Sequence, residues 1–214
     1  RGLPTHVVAI VTNFNVTLRG WLLHKKMNKR LVIYFTKTLE VALYLYQDLG
    51  YRISFIQYLF LKTDSDVLLV AYRGYSDSKG EPTELGLQLD SLAIVKYAVD
   101  YQTEQYKTDI IKIYMSTAVV LEVQWPFMLL QNPFKIENKG LIIQNTFTSF
   151  PDVIKAIFPY FTLLSLLSRN DWPSKDRIKT IQTPMLFIRS LKDKLIPPIQ
   201  MIELFRLAKK SILR

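Results

Sequence analysis

DVLLVAY, at residues 66–72, decides the fold, because this stretch is apolar at nearly every position rather than at alternate ones. Unbroken apolar runs of this length are typical of strands that are buried on both faces of a parallel sheet. Four other runs along the chain have the same character: LVIYF (31–35), IIKIYM (110–115), GLIIQ (140–144) and PMLFI (184–188). We therefore predict five buried strands.

The segments between these runs favour helices. Residues 39–49 and 53–61 have a helical pattern, helical spacing recurs from Leu85 onward, and a final helix over about 199–208 follows Pro197-Pro198. Two β-rich runs at the amino end, 6–11 and 16–23, flank a predicted hairpin turn at 13–15. Strands that alternate with helices predict an α/β fold with a mostly parallel central sheet and helices on both faces.

Residues 1–214 are predicted to form a single domain, since neither a linker nor a repeat divides them. The longest part without a predicted strand is about 150–179. We expect it to form a small helical cap over the carboxyl edge of the sheet, where open α/β sheets bind ligands. Its apolar side chains suit an acyl chain or, equally, a hydrophobic core: Phe158, Phe161, Leu164 and Leu167.

The composition excludes several chemistries. Without cysteine there is no disulfide, no thiol nucleophile and no thiolate metal site, and two histidines argue against a transition-metal centre. No glycine-rich nucleotide motif is present, so we expect neither a cofactor nor a metal.

The net charge is +10, but the basic residues are scattered, without the interleaved aromatics of a nucleic-acid binder. Their denser groups fit a solvated surface or a patch that faces an anionic membrane: Lys25, Lys26, Lys29 and Arg30, and Lys209, Lys210 and Arg214. The sequence has no run of about 20 apolar residues, which is the length that a helix needs to span a bilayer. Because the chain begins at Arg1 rather than Met, we expect it to be a piece of a longer protein whose anchor lies upstream.

Three segments carry a family resemblance: 66–82 (DVLLVAYRGYSDSKGEP), 140–158 (GLIIQNTFTSFPDVIKAIF) and 183–198 (TPMLFIRSLKDKLIPP). In this order they resemble the bud-emergence-type serine hydrolases, a eukaryotic branch of the α/β hydrolases. The resemblance runs from about Val7 to Ala208, and the YRGY and NTFTS segments together are its most specific part. It implies the α/β-hydrolase fold and a Ser–Asp–His triad in that chain order.

Asp193 matches the acid of that triad, in the loop after the strand 184–188; its plainer reading is a solvated loop aspartate. The resemblance makes Ser116 the candidate nucleophile, because it follows the strand 110–115 at the right place in the order. The family's G-x-S-x-G glycines are missing around it. Ser116 is therefore either a nucleophile in an elbow without glycine or the N-cap of the following helix.

The resemblance also implies an oxyanion hole, formed by backbone N–H groups of Thr117 and of Thr36. The family's His-Gly loop is replaced by Thr36-Lys37-Thr38 in this chain. The two histidines, His6 and His24, fall too early in the chain for the triad, and we expect the catalytic histidine beyond Arg214.

Two functions remain open. One is a serine hydrolase that acts on a small-molecule or lipid-like ester or thioester. The other is a catalytically inactive relative that serves as a binding or membrane-associated module. A truncated or faulty coding sequence of a working enzyme would leave the same pattern. Family resemblance places the protein at the endoplasmic reticulum or plasma membrane, and no nucleic-acid partner is expected.

Overall fold

The computed structural model describes residues 5–25, 30–35, 53–107, 111–117, 136–157, 160, 172–181, 183–193 and 196–208; for 111–117 and 136–139 it describes the backbone alone. These residues form a seven-stranded sheet in the order β1-β2-β4-β3-β5-β6-β7. The strands are β1 (Thr5–Val11), β2 (Thr17–Leu23), β3 (Arg30–Phe35), β4 (Asp66–Val70), β5 (Ile111–Thr117), β6 (Ile136–Gln144) and β7 (Met185–Ile188).

The sheet is mostly parallel, as predicted. The β1–β2 and β2–β4 pairs are antiparallel, and β4, β3, β5, β6 and β7 all run in one direction. The strands of the first half of the chain form one side of the sheet and those of the second half form the other. The two sides meet along the parallel β3–β5 pair, where Tyr34 is opposite Ser116.

The predicted hairpin turn at 13–15 is confirmed. The backbone N–H of Thr12 donates to the carbonyl of Val16, and the N–H of Asn15 donates back to Thr12, both at 2.9 Å. Asn15 has a positive φ of 57°, a conformation that asparagine adopts more readily than most residues. Local turn chemistry therefore sets the pairing of β1 with β2.

Five helices accompany the sheet in the described part of the chain: α1 (Ile53–Lys62), α2 (Glu84–Tyr106), α3 (Phe150–Ile157), α4 (Ser174–Arg177) and α5 (Pro198–Leu207). The hydroxyl of Thr83 caps α2 by accepting a hydrogen bond from the N–H of Gly86 at 3.0 Å. Lys107 ends this helix in the left-handed conformation, with φ 45°.

Helices cover both faces of the sheet. Alternate residues of β3 and β4 point to opposite sides, because side chains alternate along a strand. On one side Val32 and Leu69 pack with Ile56 and Phe60 of α1. The other side holds a larger core of strand residues, such as Ile33, packed with residues from α2, α3 and α5: Leu87, Ile94, Ala98, Val153, Met201 and Leu204. The runs 31–35 and 66–72 are therefore buried on both faces, as the sequence predicts, whereas Ile188 at the end of the run 184–188 is exposed.

The predicted helix at 39–49 lies outside the described residues. So does much of the expected cap at about 150–179, of which the structure describes α3, α4, Tyr160 and the short segments beside α4. Arg177 of α4 donates to Glu84 at the start of α2 at 2.8 Å, and both side chains are largely buried. This ion pair fixes the end of the cap-like region against the core helix.

Candidate functional site

Four parallel strands bring the candidate residues to one edge of the sheet. Phe35 of β3 is opposite Thr117 of β5, which is opposite Ile143 of β6, which in turn is opposite Phe187 of β7. These strands therefore end within a residue or two of one another. The carboxyl ends of the four strands therefore lie side by side, at the edge where open α/β sheets bind ligands.

Ser116 lies inside β5, which corrects its predicted position in the turn after the strand. Its backbone pairs with Tyr34 on one side and Ile142 on the other, and Thr117 still belongs to the strand. The strand runs two residues beyond its predicted end because no glycine follows to allow a tight turn, while β-branched Thr117 suits a strand. Ser116 is consequently not the N-cap of a helix that begins at the next residue.

Of the two oxyanion candidates, the structure describes Thr117 but not Thr36. Thr117 is the last residue of β5, beside Phe35 and Ile143. Thr36 lies outside the described residues, although it directly follows Phe35, the last residue of the neighbouring strand β3. The chain therefore leaves β3 next to the end of β5, and the roles of both threonines stay predictions.

Asp193 lies in the loop after β7 and is half-buried. Its Oδ1 accepts a hydrogen bond from the backbone N–H of Ile196 at 2.9 Å, just before α5 begins. The aspartate thus takes part in a defined turn rather than pointing freely into solvent. Strands lie about 4.8 Å apart, so the axes of β5 and β7, which have β6 between them, are separated by roughly 10 Å.

Neither histidine lies at this edge. His6 is exposed near the start of β1, and His24 directly follows β2, at the opposite, amino-terminal edge of the parallel strands. The Nδ1 atom of His24 lies 3.2 Å from Oδ2 of Asp66 and 2.7 Å from the hydroxyl of Tyr101. The sequence order excluded both histidines from the triad, and their positions in the fold exclude them on geometry as well.

The buried carboxylate of Asp66 organises that opposite edge. It accepts hydrogen bonds from the N–H of Lys25 at 2.7 Å and from the hydroxyls of Tyr101 at 3.3 Å and Tyr106 at 3.1 Å. Burial, followed by the charge of Asp66, raises the pKa of the Tyr101 hydroxyl, which therefore stays protonated as a donor. This cluster joins β2, β4 and α2 at the far end of the sheet from Ser116.

The segment 145–149 (NTFTS) connects β6 to both neighbouring elements at the carboxyl edge. Asn145 accepts a hydrogen bond from the N–H of Ser190, in the loop that carries Asp193, at 2.6 Å. The N–H of Thr148 donates to the amide oxygen of Gln200 on α5 at 2.9 Å, and its hydroxyl, which has one proton to donate, lies between that oxygen and the carboxylate of Asp152 at 2.8 Å. The sequence marked this segment as a family signature without revealing that it braces the loop and α5.

Asp152 is held as a carboxylate in this network. Burial alone raises its pKa, but hydrogen bonds from Ser149, Thr148 and Lys175 outweigh that effect and hold the pKa below its usual value. Lys175 of α4 approaches to 3.1 Å. The ion pair ties α3 to α4 across the cap-like region.

The turn after β4 contains the YRGY signature and is built around a buried ion pair. Asp90 of α2 is fully buried and accepts hydrogen bonds from the backbone N–H of Arg73 at 2.8 Å and from its guanidinium at 2.7 and 2.9 Å. Asp90 therefore has a structural role in the loop around Gly74. Gly74 has φ 76°, and a Cβ there would come within 2.6 Å of Pro82, so glycine is required.

Comparisons with known proteins agree with this architecture. The chain is 32% identical over 162 residues to protein bem46 of Schizosaccharomyces pombe, an alignment that covers 75% of this chain and 52% of that protein. It is 27% identical to the alpha/beta hydrolase domain-containing protein WAV2 of Arabidopsis thaliana, over 74% of this chain and 53% of the relative. This chain is a relative of the bud-emergence-type α/β hydrolases.

Solved structures show the same fold for this bud-emergence-type chain. An esterase of Pyrococcus furiosus superposes with a TM-score of 0.66 over 97% of this chain and 79% of the esterase, at 19% identity. An α/β hydrolase of Vibrio vulnificus gives a TM-score of 0.70 over 95% of this chain and 69% of that protein, at 17% identity. At these identities the likeness establishes the fold alone. No family model matches the chain.

This bud-emergence-type chain spans about half the length of the bem46 and WAV2 relatives. A third relative, 27% identical over 99% of this chain and 70% of its own length, is an uncharacterized membrane protein of Saccharomyces cerevisiae. Among the described residues, no helix has the length and apolar character needed to cross a bilayer.

The described residues form a cavity away from the carboxyl edge but contain no metal-binding group. Within the described ranges, no three carboxylate or imidazole side chains are grouped so that they could hold a metal ion. A cavity of about 170 Å³ opens between β1, β2 and α1, lined by Thr5, Trp21, Leu23, Ile53, Ile56 and Gln57. Because Thr5 and Leu23 lie at the amino-terminal edge, this cavity is not continuous with the loop of Asp193.

Proposed function

We propose that this protein is a serine hydrolase that acts on an ester or thioester, including esters with a lipid-like acyl group. The observation that supports it most is the convergence at the carboxyl edge. Ser116 and the oxyanion candidate Thr117 are the last two residues of β5, β3 ends beside them at Phe35, and the loop of Asp193 follows β7, two strands away. This is the arrangement in which a serine and an acid act through a histidine between them.

Each residue has a distinct role in the proposed reaction. Ser116 attacks the carbonyl carbon, and a histidine takes its proton and later returns it to the leaving group. Asp193 orients that histidine and stabilises the imidazolium. Backbone N–H groups of Thr117 and Thr36 hold the oxyanion. The proposal requires a histidine that this sequence does not supply at the carboxyl edge, since His6 and His24 lie at the other one.

A catalytically inactive relative that acts as a binding module is the second candidate. The observation that favours it is the position of Ser116 inside β5, flanked by Met115 and Thr117 rather than by glycine. A nucleophile elbow holds its serine in a sharp strand-to-helix turn. Building such a turn without glycine costs about 1–3 kcal/mol for each strained backbone position.

Covalent labelling separates the two candidates. The full-length protein is incubated with a fluorophosphonate probe, and the adduct is mapped by mass spectrometry of its peptides. We expect labelling on Ser116 that disappears in Ser116→Ala and persists in Ser54→Ala, which removes an exposed serine of α1. We also expect Asp193→Asn to lower kcat on an ester by about 10⁴-fold. Folded full-length protein that takes up no label would establish the binding-module reading instead.

We also propose that the protein associates with membranes, at the endoplasmic reticulum or plasma membrane. The net charge of +10 and the membrane protein among its relatives support this. In liposome flotation, binding to vesicles with an anionic lipid should weaken as salt rises, because charge-driven attraction is screened over about 10 Å at 0.1 M. Equal recovery with neutral and anionic vesicles would contradict a charge-driven interaction.

A further inference from the structure

Asn145 stands between the two halves of the proposed catalytic apparatus. It is the first residue after β6, the strand that lies between the strand of Ser116 and the strand that leads to Asp193. Its φ of 45° is in the left-handed region, which only glycine, asparagine and aspartate visit readily. The chain turns sharply here, at the edge where the candidate residues converge.

Two hydrogen bonds join Asn145 to the segment that carries the acid. Its backbone N–H donates to the carbonyl of Ile188, the last residue of β7, at 3.0 Å. Its side-chain Oδ1 accepts from the backbone N–H of Ser190 at 2.6 Å. The loop therefore leaves β7 in a fixed direction, and three residues later Asp193 closes its own turn with Ile196.

We infer that Asn145 is a positioning residue for Asp193, holding the acid loop so that the carboxylate faces the histidine of the triad. This inference rests on the proposed function. Asparagine meets both needs of the position, since it tolerates the left-handed backbone and supplies an acceptor. Glycine meets only the first, and aspartate meets both because its Oδ1 occupies the same place.

The test compares Asn145→Gly with Asn145→Asp in the full-length protein, using p-nitrophenyl butyrate as the ester. Asn145→Gly keeps the backbone conformation and removes the acceptor for Ser190. We expect its kcat to fall by about 10- to 100-fold with KM little changed, because misplacement of a catalytic group by about 1 Å costs up to about 100-fold. Asn145→Asp should stay within a few-fold of the wild type.

The pH profile reports the mechanism. Asp193 stabilises the imidazolium, so weaker contact with the acid lowers the pKa of the histidine. The acid limb of kcat/KM should therefore move to lower pH in Asn145→Gly. In an Asp193→Asn background, adding Asn145→Gly should cause little further loss, since residues that act through one group are not additive.

The outcomes are separable. If wild-type protein hydrolyses the ester and Asn145→Gly matches its kcat and pH profile, this inference fails while the proposed function stands. Equal losses in Asn145→Gly and Asn145→Asp, or full additivity with Asp193→Asn, also overturn it. Wild-type protein that neither hydrolyses the ester nor labels at Ser116 overturns both. If Asn145→Gly does not fold, Ser190→Pro replaces it, because proline removes the N–H whose hydrogen bond Asn145 accepts and leaves Asn145 in place.

Discussion

At the scale of single residues, the most demanding contact is the ion pair between Arg73 and Asp90. Asp90 is fully buried on α2, and its carboxylate receives both the backbone N–H and the guanidinium of Arg73. A buried carboxylate that lacks its partner destabilises the folded protein, and so does a guanidinium that is buried there alone. The turn after β4 therefore depends on both members of the pair.

We predict that Asp90→Ala lowers the free energy of unfolding by about 3–5 kcal/mol, because it leaves the mostly buried charge of Arg73 uncompensated. Denaturant unfolding followed by circular dichroism measures the change. The matched control is Asp176→Ala, which removes an exposed carboxylate paired with Lys179 at 3.0 Å. The control should change stability by less than about 1 kcal/mol. A similar small change for Asp90→Ala would show that the turn does not rely on the pair.

At the scale of elements, the stretch from the end of β6 through α3 works as one bracket. Its amino end holds the loop after β7, its middle bonds Gln200 of α5, and Asp152 on α3 pairs with Lys175 of α4. Three segments that are distant in sequence are thereby fixed around the same edge. The bracket includes the carboxylate of Asp152, and protonation of this group weakens its ion pair with Lys175.

We predict that acid weakens this bracket. The pKa of Asp152 is lowered in the folded protein, so its contribution to stability is present above the ordinary value of 3.8 and disappears as pH falls through the folded pKa. Asp152→Asn should lower stability at pH 7 by about 1 kcal/mol and flatten the loss of stability below about pH 4. Unfolding curves across that pH range measure this. An unchanged slope in Asp152→Asn would refute the prediction.

The sequence predicts the elements better than the contacts between them. Strands that are buried on both faces have unbroken apolar sequences, so runs such as 66–72 can be predicted. Proline and turn residues likewise predict the start of α5 and the position of the hairpin. The end of β5 was missed because a glycine-free sequence gives no sign of where a strand stops. The hydrogen bond between Asn145 and Ser190 cannot be predicted from the sequence, because the two residues are 45 positions apart and only the register of β6 with β7 brings them together.

At the scale of the whole molecule, the candidate catalytic residues and the buried cluster around Asp66 lie at opposite edges of the sheet. The candidate catalytic residues lie at the carboxyl ends of the parallel strands. The buried cluster around Asp66 lies at the amino ends, where it joins two strands to α2. The two groups can therefore be changed separately.

We predict that Asp66→Ala lowers the free energy of unfolding by about 1–3 kcal/mol, because it removes the fully buried carboxylate that accepts hydrogen bonds from the N–H of Lys25 and from the hydroxyls of Tyr101 and Tyr106. Under conditions where the variant is fully folded, the rate of fluorophosphonate labelling at Ser116 should equal that of the wild type. Asp64→Ala, which removes an exposed neighbouring carboxylate, serves as the control. Slower labelling in folded Asp66→Ala would show that the two edges are coupled.

The meeting of the two sides of the sheet along β3 and β5 has a consequence for how the molecule folds. Pairing Tyr34 with Ser116 closes a loop of about 80 residues, and the entropy lost in closing a loop grows with its length. Strands that are adjacent in sequence, such as β1 and β2, lose much less entropy when they pair. Contacts between residues that are distant in sequence slow folding. Thr36 follows β3 and Thr117 ends β5, so the two oxyanion candidates come from opposite sides of this junction. The candidate oxyanion site therefore forms only when β3 pairs with β5. A nascent chain in which these strands are still unpaired would not yet have that site.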